Sequence, residues 1–252
     1  MRRLLVALLA LIVMPRRGEP MQIDTDRATL DVEDGALSSS EAERFARLLD
    51  QGIADVESYL GPAAPAGLRE GRIVYRVAND LPFSMTRGRT VSLLAERVRT
   101  DSAPYLHETV HVLLPAPNHS LWLSEGFASF VESHVSETFG GYDAHVFSRT
   151  GNRGVDGEAA RWLSGDRGRD VLPYVGVPGE PPEMESERRR VAAPFYVLSQ
   201  SFAKFLVQRV GLGPLIGVVS SRDPEAALAR VSGRTVEDWK ADWLRTLPAG
   251  AV

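Results

Sequence analysis

His107-Glu108-Thr109-Val110-His111 and, shortly after it, Trp122-Leu123-Ser124-Glu125-Gly126-Phe127-Ala128 are the two strings on which the reading of this chain turns. His107 and His111 are four residues apart, so on a helix they stand one turn apart on one face. Two ring nitrogens are thereby offered to a single tetrahedral ion. Glu108 lies one step round the helix, where its carboxylate reaches a water beside the ion rather than the ion itself. Leu106, Val110, Leu113 and Leu114 make the helix apolar along one side, and a carboxylate buried there needs a partner. The plain alternative is a helix that happens to carry two histidines.

A catalytic zinc site needs a third protein ligand and an open fourth position. Glu125 is the leading candidate, because a short connection separates its helix from the first and two antiparallel helices would bring it opposite the histidines. Gly126 beside it costs about 1 kcal/mol against alanine in mid-helix, which suggests a packing reason such as close helix approach. Asp101-Ser102 reads as the cap of the first helix, with Pro104 in its first turn and an end near Leu114-Pro115. Asn118-His119-Ser120 opens the second helix, which runs to Gly140-Gly141.

Upstream, Thr29–Val32, Ile73–Val77 and Thr90–Leu94 read as strands. Ser38-Ser39-Ser40-Glu41 starts a helix whose apolar positions Phe45, Leu48, Leu49, Ile53, Val56 and Leu60 keep helical spacing until Gly61. Downstream, residues 142–190 are rich in Gly, Pro, Arg and Asp and read as a long excursion with one short helix near Glu158–Trp162. Glu183 to Arg190 reads as a solvated charged face. Helices follow at Phe195–Val210, Leu215–Val219, Pro224–Val231 and Val236–Leu247, the last opened by a capping box at Thr235–Asp238. The expected fold class is α+β: a small N-terminal sheet with a helix over 21–100, then a mainly helical lobe over 101–252.

Composition bounds the rest. The 252 residues suffice for a real core, and the net charge of -4 with no basic stripe gives no case for nucleic acid. There is no cysteine, which excludes disulfides, thiol catalysis and cysteine metal sites. Arg2-Arg3 followed by the apolar run Leu4–Met14 resembles a secretory leader, too short for a spanning helix of about 20 residues. Residues 1–20 are therefore expected to direct export, as a leader or as a membrane tether. Pro15-Arg16-Arg17 departs from a cleavage site, and Met21 is the alternative start.

The two strings together resemble the gluzincin metallopeptidases, in particular the Peptidase MA-like branch and, for the second string, zinc aminopeptidases. The likeness extends over residues 22–247 and is strong at 105–130. It implies a zincin-like fold and one zinc ion held by His107, His111 and Glu125, with Glu108 as general base and a peptide or protein as substrate. It also implies an oxyanion-stabilising group on a later helix, for which Tyr196 is the candidate, with Tyr174 second and Tyr105 read as packing. By the same resemblance, an edge strand near Val91–Leu94 would bind an extended peptide. Two departures stand out. The aminopeptidase signature Gly-Ala-Met-Glu-Asn is absent before the metal helix, which favours an endopeptidase. Ser129 stands where thermolysin-like relatives place an Asp that orients a histidine, which leaves Glu132 as a candidate substitute. His119, His134 and His145 read as ordinary residues, and Trp122 as packing beneath the site. A gluzincin-fold protein that binds peptides without cleaving them is the alternative, kept open by an excursion long enough to cover the cleft.

Overall fold

Strands with alternating buried and half-exposed residues open the chain. The computed structural model describes residues 20–248 apart from 64–69, 118–119, 141–147, 183 and 185–187. The leader-like segment up to residue 19, His119, His145 and part of the charged run at 183–190 thus lie outside the described residues. β1 (Met21–Asp24) and β2 (Ala28–Val32) pair antiparallel. β2 pairs parallel with β3 (Ile73–Ala78), and β3 parallel with β5 (Thr90–Leu94). β4 (Met85–Arg87) lies antiparallel on the outer side of β5, giving the order β1-β2-β3-β5-β4. Parallel neighbours need a crossover, and α1 (Ser39–Leu60) supplies it between β2 and β3. Its ends obey its sequence. Ser38 and Glu41 form a capping box, and Gly61 stops the helix at φ 60°, a backbone that favours glycine.

The expectation of an edge at Val91–Leu94 is corrected. β5 is an interior strand with Val91 and Leu93 fully buried, and β4 is the edge on that side. Met85-Thr86-Arg87 has one apolar side chain in three residues, so no strand pattern marks it. Gly88, at φ 58°, opens the two-residue turn that folds it onto β5.

α2 (Ala95–Arg99) leaves β5 directly, and α3 (Tyr105–Leu113) carries the first string. Pro104 is the cap residue of α3 rather than part of its first turn, and no side chain caps the helix. The expected Asp101-Ser102 cap does not form; Asp101 instead accepts a hydrogen bond from Arg44. All of α3 except His111 is buried, so it is a core helix, not one buried on a single side. α4 (Leu121–Phe139) carries the second string.

The excursion is also corrected. Its described part, 148–182, holds α5 (Gly151–Leu163), α6 (Asp166–Val171) and a 3-10 turn at Leu172–Tyr174. Gly151, Gly154 and Gly157 obscure the helical period, because glycine has low intrinsic helix propensity. Packing supplies what propensity lacks: Val155, Ala159, Ala160 and Leu163 are buried, and α5 lies against α7 (Arg188–Val210). The buried Asn152 donates to Phe130 O at 2.7 Å and accepts from Gln200 at 3.0 Å. α7 starts at Arg188, with Pro194 inside it, rather than at Phe195.

α8 (Leu212–Val219), α9 (Pro224–Ser232) and α10 (Val236–Thr246) close the chain, with the Thr235–Asp238 capping box in place. Trp122 of α4 stacks on Phe202 of α7, which stacks on Trp243 of α10, each at 5.1 Å between ring centres. One hydrophobic core runs from Ala28 to Leu247. The class is α+β, a mixed sheet followed by helices. Among the described residues no helix is long and apolar enough to cross a membrane.

α4 and α7 meet at Gly126, where an added Cβ would sit 2.4 Å from the Ser199 carbonyl oxygen. Gly126→Ala is expected to destabilise the protein by about 1–3 kcal/mol, since backbone and not a flexible tip must yield. Gly157→Ala in α5, where a Cβ meets nothing within 4 Å, is expected to stabilise it by about 0.5–1 kcal/mol. Denaturant midpoints of the two variants check both signs.

Candidate metal centre

α3 and α4 bring three donor atoms to one point. His107 Nε2 lies 2.9 Å from Glu125 Oε2 and 3.1 Å from His111 Nε2, and His111 Nε2 lies 3.5 Å from Glu125 Oε2. A tetrahedral zinc with bonds of about 2.0–2.1 Å spaces its ligand atoms by about 3.3 Å. The triangle therefore fits one face of such a tetrahedron, and two imidazole nitrogens aimed at each other favour a shared cation between them. Among the described residues this is the one cluster of His and acid side chains with metal-ligand geometry.

The electrostatics agree. Burial disfavours the imidazolium of His107, but its hydrogen bond to Glu125 and the charges of Glu125, Glu132 and Glu108 outweigh this and push it up to about 9. Burial likewise opposes ionisation of Glu125, but the charge of His111, one hydrogen bond each from His107 and His111, and the charge of His107 hold its carboxyl well below the usual range. The triad thus favours positive charge at its centre.

The triad opens on a cleft of about 430 Å³. Its walls include Phe83, Ser84, Met85, Thr86, Arg97, Glu108 and Tyr196. Glu108 is 7% exposed, and Thr86 on β4 donates to its Oε2 at 2.6 Å. This supplies the partner that a buried carboxylate requires. Tyr196 on α7 reaches the cleft with its ring centre 6.2 Å from that of His107. The structure thus brings together all five residues singled out in the sequence: His107, Glu108, His111, Glu125 and Tyr196.

The neighbours sort themselves. Ser129 Oγ lies 3.4 Å from His107 Nδ1, a long contact at the orienting position. Glu132 is buried beside His107 and hydrogen-bonds to its backbone; burial pushes its carboxyl up to about 7 against the opposing charge of His107. Tyr105 packs edge-on against Phe45 at 5.5 Å, Tyr174 is not among the cleft-lining residues, and His134 stacks on Tyr59. No residue of 148–182 lines the cleft. Sequence reasoning missed Thr86 and Arg97. Both depend on β4 and α2, short elements with no periodic signal.

No protein-family model matches the chain, and neither does any curated protein. Solved structures do. A two-domain M1 zinc metallopeptidase, a glutamate-to-alanine mutant bound to L-arginine, superposes with a TM-score of 0.50 at 17% identity, over 93% of this chain and 54% of that one. An M1 zinc metallopeptidase from Deinococcus radiodurans, also a glutamate-to-alanine mutant, gives 0.50 at 18% identity over the same shares. The chain spans about half the length of the solved structures it matches. What the likeness shows is the fold: this chain has the zincin-like fold of zinc metallopeptidases.

Proposed function

We propose that the chain is a zinc-dependent metallopeptidase of the gluzincin type, allied to the Peptidase MA-like branch, that cleaves peptides or proteins internally. The observation that carries this reading is the triangle of His107, His111 and Glu125 with Glu108 beside it on the cleft wall. A bound zinc ion would supply a Lewis acid that acidifies water and polarises a carbonyl. The chain's own groups do the remainder. Thr86 occupies Oε2 of Glu108, which leaves Oε1 to take the proton of the attacking water and pass it to the departing amine. Tyr196, across the cleft, is suited to donate its hydroxyl proton to the developing oxyanion. The outer edge of β4 would hold the substrate backbone by strand addition, the role first expected of Val91–Leu94.

One observation favours an endopeptidase. Glu108 and Glu125 are the only acids among the described cleft-lining residues, and both are already committed, so neither remains to hold a substrate's terminal ammonium. The described part of the excursion, 148–182, packs on α4 and α7 and contributes no residue to the cleft lining, which counts against a closed, non-catalytic binding protein. Export is proposed on the pattern of Arg2-Arg3 and Leu4–Met14 alone. Fractionation of expressing cells tests it, and recovery of the intact chain from the cytosol would remove it.

Incubation with an unbiased peptide library is expected to give internal cleavage with zinc and none after chelation. Glu108→Gln should lower kcat by about 10²–10⁴-fold with zinc still bound; equal cleavage by both forms overturns the role of Glu108. Binding without any cleavage would favour the peptide-binding alternative. Thr86→Val removes a charge-assisted hydrogen bond of about 1.5–3 kcal/mol and is expected to lower kcat about tenfold or more with unchanged zinc content.

Metal and proton compete for His107. Its proton, held up to about 9, must leave on zinc binding, so apparent zinc affinity should rise about tenfold per pH unit between 7 and 9 and flatten above. Titration calorimetry in buffers of different ionisation enthalpy is expected to count about one proton released per zinc at pH 7. A pH-independent affinity over this range would show that His107 carries no proton for zinc to displace.

A further inference from the structure

Most charged groups of the cleft are matched, but Arg97 is not. His107, His111 and Glu125 engage one another, and Glu108 accepts from Thr86. Arg97 lines the same cleft, yet it forms no ion pair among the described residues. Its neighbour Arg99 shows the usual alternative: it pairs with Glu96 at 3.3 Å and donates to Ala36 O at 2.5 Å. Arg97 is half-buried, and its backbone carbonyl is fixed by the Ser102 amide at 2.8 Å. Its charge is felt by the buried Glu132, so it acts on the interior of the site as well as on solvent. A guanidinium on a short helix beside a cleft, with no carboxylate within the 4.0 Å of an ion pair among the described residues, can bind one from outside.

For a peptide that adds antiparallel to β4, the strand geometry says which part of it Arg97 would meet. Met85 pairs with Ser92 and Arg87 with Thr90, so the Met85 end of β4 lies beside the end of β5 from which α2 and Arg97 depart. A peptide added antiparallel to β4 runs from the Arg87 end towards the Met85 end. Its C-terminal portion therefore reaches Phe83, Ser84 and Arg97, all of which line the cleft.

We propose that Arg97 is a specificity-determining residue that binds a substrate carboxylate on the C-terminal side of the cleaved bond. This rests on the peptidase reading above. The carboxylate could be an Asp or Glu side chain or the free C-terminus of a short peptide, since both present the same planar pair of oxygens.

Zinc-loaded full-length protein and four matched peptides decide it: Glu or Gln at one position C-terminal to the cleaved bond, each with a free or amidated C-terminus. Wild type is expected to prefer one carboxylate form by about 10–100-fold in kcat/KM, and the arm showing the preference names the source. Arg97→Gln should bring that ratio close to one, and Arg97→Lys should restore part of it. Equal cleavage of all four by wild type overturns the proposal and leaves the peptidase reading intact; this arm needs no variant. A ratio unchanged in Arg97→Gln overturns it too, assigning Arg97 to support of Glu132. If wild type cleaves nothing, the peptidase reading fails, and Kd values of the same labelled peptides decide the matter. Preference for the carboxylate forms that Arg97→Gln abolishes keeps Arg97 as their binding residue, and equal Kd values remove it.

Discussion

The approach of α4 to α7 at Gly126 sets the position of everything in the cleft. Glu125 and Gly126 are adjacent, so on α4 they point about 100° apart. Glu125 faces the histidines of α3, and Gly126 faces the backbone of Ser199 on α7. Any side chain at Gly126 would part the two helices, and α4 would have to move. The metal triangle tolerates little of this, since its sides are 2.9–3.5 Å. On α7, Tyr196 and Ser199 are three residues apart and share a face, so the contact that seats α4 also brings Tyr196 to the cleft. The stack of Trp122, Phe202 and Trp243 holds the same two helices from below.

The second constraint is charge. Glu108, Glu125 and Glu132 are largely withdrawn from water around one histidine. Carboxylates in that setting must be neutralised, hydrogen-bonded or matched. Each solution is present: Glu132 is pushed towards its neutral form by burial, Glu108 accepts from Thr86, and Glu125 shares a proton-bearing triad. A divalent cation would replace that proton and add charge where three acids converge. The arrangement makes more electrostatic sense around a metal than as a packed core.

The features legible in the sequence were those with local causes. A turn of helix puts His107 and His111 on one face whatever surrounds them, and Ser38-Glu41 and Thr235-Asp238 cap their own helices. Glu125 was readable because a short connection separates its helix from that of the histidines, so that two antiparallel helices would bring it opposite them. What was not legible depends on distant partners. β4 exists because β5 pairs with it; its three residues carry no pattern of their own. α5 is helical because α7 and α4 bury it and fasten Asn152, against the preference of its glycines. Thr86 joins the site only through β4 and Arg97 only through the short α2 that follows β5, so no spacing rule could reach them.

β4 then has two tasks at once. Successive side chains on a strand point to opposite faces, so Thr86 turns to Glu108 while the exposed Arg87 that follows it turns away. Beyond β4 the sheet has no further strand among the described residues, so its outer backbone is open to pairing. A peptide that adds there would fix the backbone from which Thr86 reaches the carboxylate. With only three residues, β4 has little stability of its own, and pairing on both sides would order it. Under the peptidase reading, substrate binding and placement of the base are thereby one event, linked through a single 2.6 Å hydrogen bond.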